Sequence, residues 1–355
     1  VPGTLAGGGI GTVTLSLADA LARAGARVDL LTIEEAGASD RPVPSGVAHR
    51  RLAARTRGAW PAAVAHLRAT RPDLTVSARN TAHLTMLAAH RAAGRPGRLA
   101  WHLHTHAGSE AAHARPLEAA LARAVATLAR APDRLVAVSE GVARDFERRA
   151  RLAPGTVRAV PNPAWSQAHE RRRRAPPVHP WLAGPRAGPV ILGVGRLAPQ
   201  KGFATLLDAL ALLRARRPAR LVLLGEGPLR AELSAQIARL GLGGAVDMPG
   251  QVADPLPEMA AADLFVLSSL WEGLPTVLIE AAGCGCPVVA TDCPSGPAEI
   301  LGGGEGPLVP PGDAPALAAA MAATLAAPPA PARLEAVARR YDARAAAEAW
   351  LGMAG

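Results

Sequence analysis

Lysine is all but missing from this chain. Of 39 basic residues other than histidine, 38 are arginine, and the single lysine is Lys201, inside the stretch "GVGRLAPQKGF" (193–203). Aromatic residues are scarce as well. They make up 3% of 355 residues against 49% hydrophobic, so the core has to be built from Ala, Leu and Val. No apolar run approaches the ~18 residues of a membrane-spanning helix, which argues against that class. Cysteine occurs three times, at Cys284, Cys286 and Cys293. Thiols crowded into one stretch argue against a distributed disulfide framework, and three of them lack the fourth ligand of a structural zinc site. No signal peptide is visible, so a reducing cytoplasm is the expected compartment.

The formal net charge of +10 is unevenly spread. Residues 1–175 hold 26 Arg and 13 acidic residues, a net of +13, whereas 176–355 hold 13 basic and 16 acidic residues, a net of −3. A basic first half attracts phosphate, on an anionic membrane surface or on a phosphorylated ligand. Arginines on the solvated faces of an Arg-biased protein account for the same numbers. The segment "RRLAARTRGAW" (50–60) mixes arginines with Trp60 in a way suited to a membrane interface, the alternative being a solvated loop. Nucleic acid is not an expected partner.

At roughly 100–200 residues per domain, the length suggests two domains. Short β-type runs alternate with Ala/Leu-rich helical stretches throughout, the pattern of a doubly wound parallel α/β sheet. The spacing predicts strands over 26–33, 73–78, 98–104, 133–139 and 156–161, then over 189–195, 219–225, 262–269 and 286–291. Between the two sets, "ERRRRAPPVHPWLAGPRAG" (170–188) combines an Arg run with prolines and no periodicity, and reads as a linker. The expected organisation is a first Rossmann-like domain over 1–169, the linker, a second domain over 189–330 and a helical tail over 331–355. The opening "PGTLAGGGIGT" is a Gly-rich turn of the kind that follows a first strand, so that strand is expected to be missing from the sequence.

Strand "PVILGVG" runs into "RLAPQKGF" and a helix starting near Phe203. In such sheets ligands bind at the carboxyl ends of strands, where a helix start supplies free N–H groups, and Arg196 and Lys201 flank that point. Two cations at a helix start suit a diphosphate. The same stretch also satisfies the dinucleotide pattern G-x-G-x-x-A through Gly193, Gly195 and Ala198, with Glu226 as a ribose acceptor, which would make the protein an NAD(P)-dependent oxidoreductase. Pro199 and a charged side chain stand where that fingerprint wants close helix packing. Further on, "SSLWEGLPTVLIEAAGCGCPVVATD" (268–292) places Glu272 in a turn after a strand and Glu280 on the following helix. Carboxylates at such a crevice accept hydroxyl protons of a sugar or ribose.

Here the sequence resembles a known family. "GVGRLAPQKGFATLLDAL", "LVLLGEGPLRAEL", "WEGLPTVLIEAAGCGCPVVATD", "CPSGPAEIL" and "GPLVPPGD" are similar to the donor domain of the retaining, nucleotide-sugar-dependent glycosyltransferases of the GT-B fold, family 4. "GGGIGTVTLSLADALARAGARVDLLT", "AVSEGVARDF" and "VRAVPNP" resemble the acceptor domain more loosely. The resemblance implies two Rossmann-like domains facing across a cleft, with a C-terminal helix returning to the first. It implies transfer of a sugar from a UDP- or GDP-type donor to a carbohydrate or lipid-linked acceptor. By position Arg196 and Lys201 would hold the diphosphate, Glu272 would lie beside the donor sugar and Glu280 would bind the ribose. The backbone of Gly195 and of Gly273, Leu274, Pro275, Thr276 and Val277 would meet sugar and phosphate. His104 would contact the sugar, and Gly8 and Gly9 match the family's Gly pair. The acidic and basic residues that often follow that pair are Gly11 and Thr12 here.

"WHLHTH" (101–106) also allows a metal reading, since His102, His104 and His106 alternate on a strand, and a reading as inert buried histidines. No Asp-x-Asp motif occurs, and no cofactor or metal is expected beyond the sugar donor. The reading is a cytoplasmic glycosyltransferase, peripheral at a membrane and acting in exopolysaccharide, lipopolysaccharide or lipid-linked oligosaccharide synthesis. The alternatives are the oxidoreductase and a nucleotide-sugar-binding protein without catalysis.

Overall fold

Every strand pairing in the computed structural model, which describes residues 9–33, 42–53, 56–111, 115–185 and 188–354, is parallel. The strands are β1 (Val28–Ile33), β2 (Val47–Ala53), β3 (Leu74–Ala78), β4 (Arg98–Leu103), β5 (Arg134–Ala137), β6 (Arg158–Ala159), β7 (Val190–Val194), β8 (Arg220–Leu224), β9 (Val246–Gly250), β10 (Leu264–Leu267), β11 (Val288–Thr291) and β12 (Leu308–Val309). They form three sheets of order β1-β2, β3-β4-β5-β6 and β12-β11-β10-β7-β8-β9. The chain divides into two units. Unit 1 takes Val1–Pro163 together with Ala343–Gly355, and unit 2 takes Ala164–Asp342.

Unit 1 begins with helices α1 (Gly9–Arg23), α2 (Thr56–Thr70), α3 (Asn80–Ala92), α4 (Ala107–Ala111), α5 (Pro116–Thr127) and α6 (Glu140–Ala150). Strand β4 is almost wholly buried because a parallel sheet is covered on both faces. Helix α6 starts where the Ser139 hydroxyl accepts the Val142 N–H at 3.3 Å, and its basic residues Arg148 and Arg149 fall in the last turn, where the helix dipole favours them. Of residues 50–60, 50–53 end β2 and 56–60 begin α2. Arg50 and Arg51 lie exposed on β2, and Trp60, 42% exposed, sits on α2. The β-branched and aromatic cues were too thin there to outweigh the arginines.

Unit 2 carries α7 (Gln167–Arg172), α8 (Pro180–Ala183), α9 (Phe203–Arg214), α10 (Arg230–Arg239), α11 (Leu256–Ala261), α12 (Thr276–Gly283), α13 (Pro297–Leu301), α14 (Ala314–Ala326) and α15 (Pro331–Arg339); α16 (Ala343–Leu351) belongs to unit 1. Its core is aliphatic, as the composition demands, with Leu206, Leu207, Leu210, Leu221, Leu223 and Ile191 at its centre. The segment 170–188, expected as a linker, instead carries α7's end and α8 and is tied to unit 2. Arg172 pairs with Asp254 at 2.7 Å and Arg173 with Glu335 at 2.9 Å, while the Glu258 carboxylate accepts the N–H groups of Val178 and His179. Its arginines find carboxylates in the acidic second half.

The tail over 331–355 is divided. Helix α15 packs on α12 in unit 2, whereas α16 packs on α1, and Trp350 and Met353 join the unit 1 cluster of Leu17, Ala100 and Val136. At the division the N–H groups of Ala164 and Trp165 donate to the Tyr341 carbonyl at 3.2 and 3.1 Å. The three cysteines are free and buried, and burial pushes Cys284 and Cys293 up to about 12, so both are protonated thiols at neutral pH. No helix among the described residues is long and apolar enough to cross a membrane.

The Trp165 ring lies against α12 where Gly283 has no side chain, and a Cβ there would come within 2.5 Å of it. Gly283→Ala should therefore destabilise the protein by about 1–3 kcal/mol through overpacking, read as a lower denaturant midpoint with unchanged slope. Gly241→Ala, which meets nothing within 4 Å but sits at φ +66°, supplies a comparison in which only backbone strain acts.

Candidate functional site

Strand order in unit 2 reverses at β7, with β8 and β9 continuing on one side and β10, β11 and β12 on the other. Loops leaving the carboxyl ends of β7 and β10 must diverge at that point and leave a crevice between them. The β7 loop supplies Gly195, Arg196 and Lys201. The β10 loop supplies Ser268 through Val277.

Both loops are knitted together by hydrogen bonds. The Ser268 hydroxyl donates to the Lys201 carbonyl at 2.8 Å, and the Leu270 N–H to the Gln200 carbonyl at 2.8 Å. This approach needs glycine at 202, which has φ 59° and whose Cβ would lie 2.1 Å from the Ser268 carbonyl oxygen. Helix α9 therefore starts at Phe203 with no side-chain cap, and α12 starts at Thr276 likewise. Their first-turn N–H groups are presented without a competing side-chain acceptor.

Lys201 does not stand alone in the crevice. Its Nζ lies 2.6 Å from Glu272 Oε1, and the two side chains are 16% and 7% exposed. The Ser269 hydroxyl donates to the same oxygen at 2.7 Å, and Gln200 Nε2 reaches Oε2 at 3.4 Å and the Trp271 carbonyl at 3.0 Å. Thr291 holds the Ser269 carbonyl at 2.5 Å and Ser295 the Gly273 carbonyl at 2.8 Å. The lysine stem passes over Gly195, where a Cβ would meet its carbons at 3.0 to 3.2 Å. Arg196 is exposed beside it.

Glu280 occupies different surroundings. It sits on α12 near the Arg172–Asp254 pair, and burial pushes its carboxyl up to about 7; Arg172 acts against that shift and Asp254 adds to it. The structure thus brings Gly195, Arg196, Lys201 and residues 272–277 to one crevice and sets Glu280 one turn further along the helix. Sequence reasoning missed Ser269, Gln200 and Arg172. The serine three residues before Glu272 is a visible signal, whereas nothing in the sequence tied Arg172 to Glu280.

In unit 1, His104 follows the end of β4, and its Nε2 is buried without a hydrogen-bond partner. Burial, then the Arg79 charge, pushes it down to about 3, so the imidazole is neutral. The His102 ring lies tilted against it with centroids 4.0 Å apart, while His106 turns away to Ser109 and Asp145. The three histidines do not converge, and among the described residues no group of metal-ligating side chains gathers. Gly9 opens α1, and Gly8 lies outside the described residues. The oxidoreductase pattern is not supported. A 3₁₀ turn over Pro199–Lys201 intervenes before the helix, and Glu226 is held by Arg230 at 2.6 and 2.9 Å.

Two parallel α/β units, one with a cation–carboxylate site at its switch point, describe the GT-B class of glycosyltransferase. HepE from Anabaena, solved in complex with UDP and glucose, has that fold and matches with a TM-score of 0.77 over 98% of this chain and 96% of its own, at 23% identity. The profile of "Glycosyl transferases group 1" matches residues 188–327 and that of "Glycosyltransferase Family 4" residues 7–164, and the chain belongs to this family of GT-B glycosyltransferases. Curated relatives match over shorter stretches. The N-acetylgalactosamine-N,N'-diacetylbacillosaminyl-diphospho-undecaprenol 4-alpha-N-acetylgalactosaminyltransferase of Campylobacter jejuni is 43% identical over 115 residues, 32% of this chain and 31% of that protein. The lipopolysaccharide core biosynthesis glycosyltransferase LpsE of Rhizobium meliloti is 39% identical over 141 residues, 39% of this chain and 40% of its own length. The matched stretch thus spans less than half of either relative.

The environment of Glu280 predicts a pH dependence. Its carboxyl is raised in the folded state, so its contribution to stability is complete below the ordinary carboxylate range near 4.5 and is lost as pH rises through about 7. Glu280→Gln should flatten the fall in urea midpoint between pH 5 and pH 8. A variant that keeps the parent's slope would assign that slope to another group.

Proposed function

We propose that this chain transfers a sugar from a nucleoside diphosphate sugar to a carbohydrate or lipid-linked acceptor, with retention at the anomeric carbon, in the synthesis of a cell-surface polysaccharide or lipid-linked oligosaccharide. The observation that carries the reading is the pairing of Lys201 with Glu272 in the crevice between β7 and β10, beside Arg196 and two helix starts without side-chain caps. Similarity to the Campylobacter and Rhizobium proteins named above supports the acceptor class.

The chemistry follows from charge. Breaking the bond between the anomeric carbon and the diphosphate oxygen leaves negative charge on the departing diphosphate. Lys201, Arg196 and the first-turn N–H groups of α9 and α12 stabilise that charge. Cations fixed in the fold do this without a divalent metal. Glu272, with one oxygen committed to Lys201 and Ser269, positions a sugar hydroxyl rather than attacking the sugar, and Glu280 in its ionised form accepts the ribose hydroxyls. His104, neutral and with an unpartnered Nε2, gives unit 1 an uncharged hydrogen-bonding atom suited to a hydroxyl.

Thermal unfolding in EDTA against UDP, GDP, ADP, dTDP, NAD and NADP tests this reading. One nucleoside diphosphate should raise the midpoint, by an amount equivalent to about 2.7 kcal/mol at a hundred times its dissociation constant. Stabilisation by a nicotinamide dinucleotide alone would count for the oxidoreductase. A requirement for added metal would remove the role given to the cations.

The geometry also gives the lone lysine a reason. A slender stem over Gly195 with a compact ammonium against Glu272 leaves no room for a planar guanidinium. Lys201→Arg should lose turnover about ten-fold or more, on the order of 1.4 kcal/mol of transition-state stabilisation, despite the retained charge. Transfer within about two-fold of the parent would make the lysine an accident of composition.

A further inference from the structure

We infer that Glu272 holds the diphosphate's place on Lys201 in the empty site, and thereby makes this chain discriminate a sugar-bearing nucleoside diphosphate from a bare one. The inference rests on the function proposed above and adds a specificity-determining role for the Lys201–Glu272 pair.

Three observations carry it. First, the ammonium and carboxylate are in direct contact at 2.6 Å, and both side chains are largely removed from water. An arriving diphosphate cannot reach the full charge of Lys201 without competing with that carboxylate. Second, Glu272 is held independently of Lys201. Ser269, fully buried and fixed through its own carbonyl by Thr291, donates to Oε1, so the carboxylate stays when the ammonium turns to a ligand. Third, the other oxygen is poorly served. Among the described residues Oε2 has only Gln200 Nε2, at 3.4 Å.

The consequence is a difference between two ligands. A bare diphosphate takes the ammonium and leaves a buried carboxylate with one good hydrogen bond and no cation, which is unfavourable. A diphosphate bearing a sugar brings hydroxyl donors that replace the lost ammonium at Glu272. The sugar ester therefore binds without this penalty, and the bare diphosphate, which is the product left after transfer, binds with it. Binding of the leaving group and binding of the sugar are coupled through one carboxylate.

Calorimetry tests this with inorganic pyrophosphate, which carries neither base nor sugar, on the parent, Glu272→Gln, Lys201→Met and the double variant. Glu272→Gln should bind pyrophosphate about five-fold tighter or more, and the gain should vanish in the Lys201→Met background. Unchanged or weaker binding in Glu272→Gln overturns the inference. A gain that persists without the lysine also overturns it, because the carboxylate then acts by general repulsion. The preference of the parent for the hexose ester over its nucleoside diphosphate, read with UDP, GDP, ADP and dTDP and their hexose esters, should shrink or reverse in Glu272→Gln. An equal loss for both ligands would mean a merely structural role.

A measurement on the unaltered protein stands apart from how the variants fold. Because Lys201 is the only lysine, labelling lysine with ¹⁵N gives a single Nζ resonance. Pyrophosphate should shift it as the ammonium leaves Glu272, and an unmoved resonance at saturation overturns the inference. A parent that binds pyrophosphate and a nucleoside diphosphate but fails these tests leaves the proposed function standing. One that binds no nucleoside diphosphate or ester removes both.

Discussion

Strand β7 is flanked by two strands that both follow it in the chain, β8 on one side and β10 on the other. A parallel sheet built this way sends the chain leaving β7 and the chain leaving β10 to helices on opposite faces, so a crevice opens where the two loops part. The gap between them is a property of strand order alone. Chain chemistry then determines what the gap holds. Gly202 lets the two loops touch, the Ser268 and Ser295 hydroxyls fasten them, and the contact brings together two charges 71 residues apart in sequence.

Much of this frame is legible in the sequence because buried parallel strands are written as unbroken apolar runs. "PVILGVG", "ADLFVLSS" and "RLAWHLH" correspond to β7, β10 and β4. The strands that escape notice are those without such runs. Strand β9 reads "VDMPG", with a carboxylate and a proline inside it, β12 has two residues, and β2 is broken by histidine and arginines. Tertiary hydrogen bonding makes them strands, and pattern carries no trace of that. The arginine-rich stretch after residue 169 is misjudged for a related reason. Its folding depends on Asp254, Glu258 and Glu335, which lie far along the chain.

The site shows the same division. Motif and position single out Lys201, Glu272 and Glu280, and only the family resemblance tells the two glutamates apart. In the structure one is neutralised by an ammonium and two hydrogen-bond donors, and the other is pushed toward protonation by burial. Two like groups, one in the β10 loop and one on α12, are thereby held in unlike electrostatic states by their surroundings. That separation depends on the burial of Glu280 and on Ser269, neither of which periodicity reveals.

Unit 1 is discontinuous in the chain: unit 2 is inserted between Pro163 and Ala343. The face of the β3–β6 sheet that carries Ala100 and Val136 is covered partly by α1 and partly by Trp350 and Met353. During synthesis, which proceeds from the amino end, the unit begun first lacks part of its interior until Ala343–Leu351 has left the ribosome. Unit 2 has no such dependence, because Ala164–Asp342 is one continuous stretch of chain. The aliphatic face of unit 1 stays open for as long as the insert takes to be made, because the piece that closes it follows the whole of unit 2.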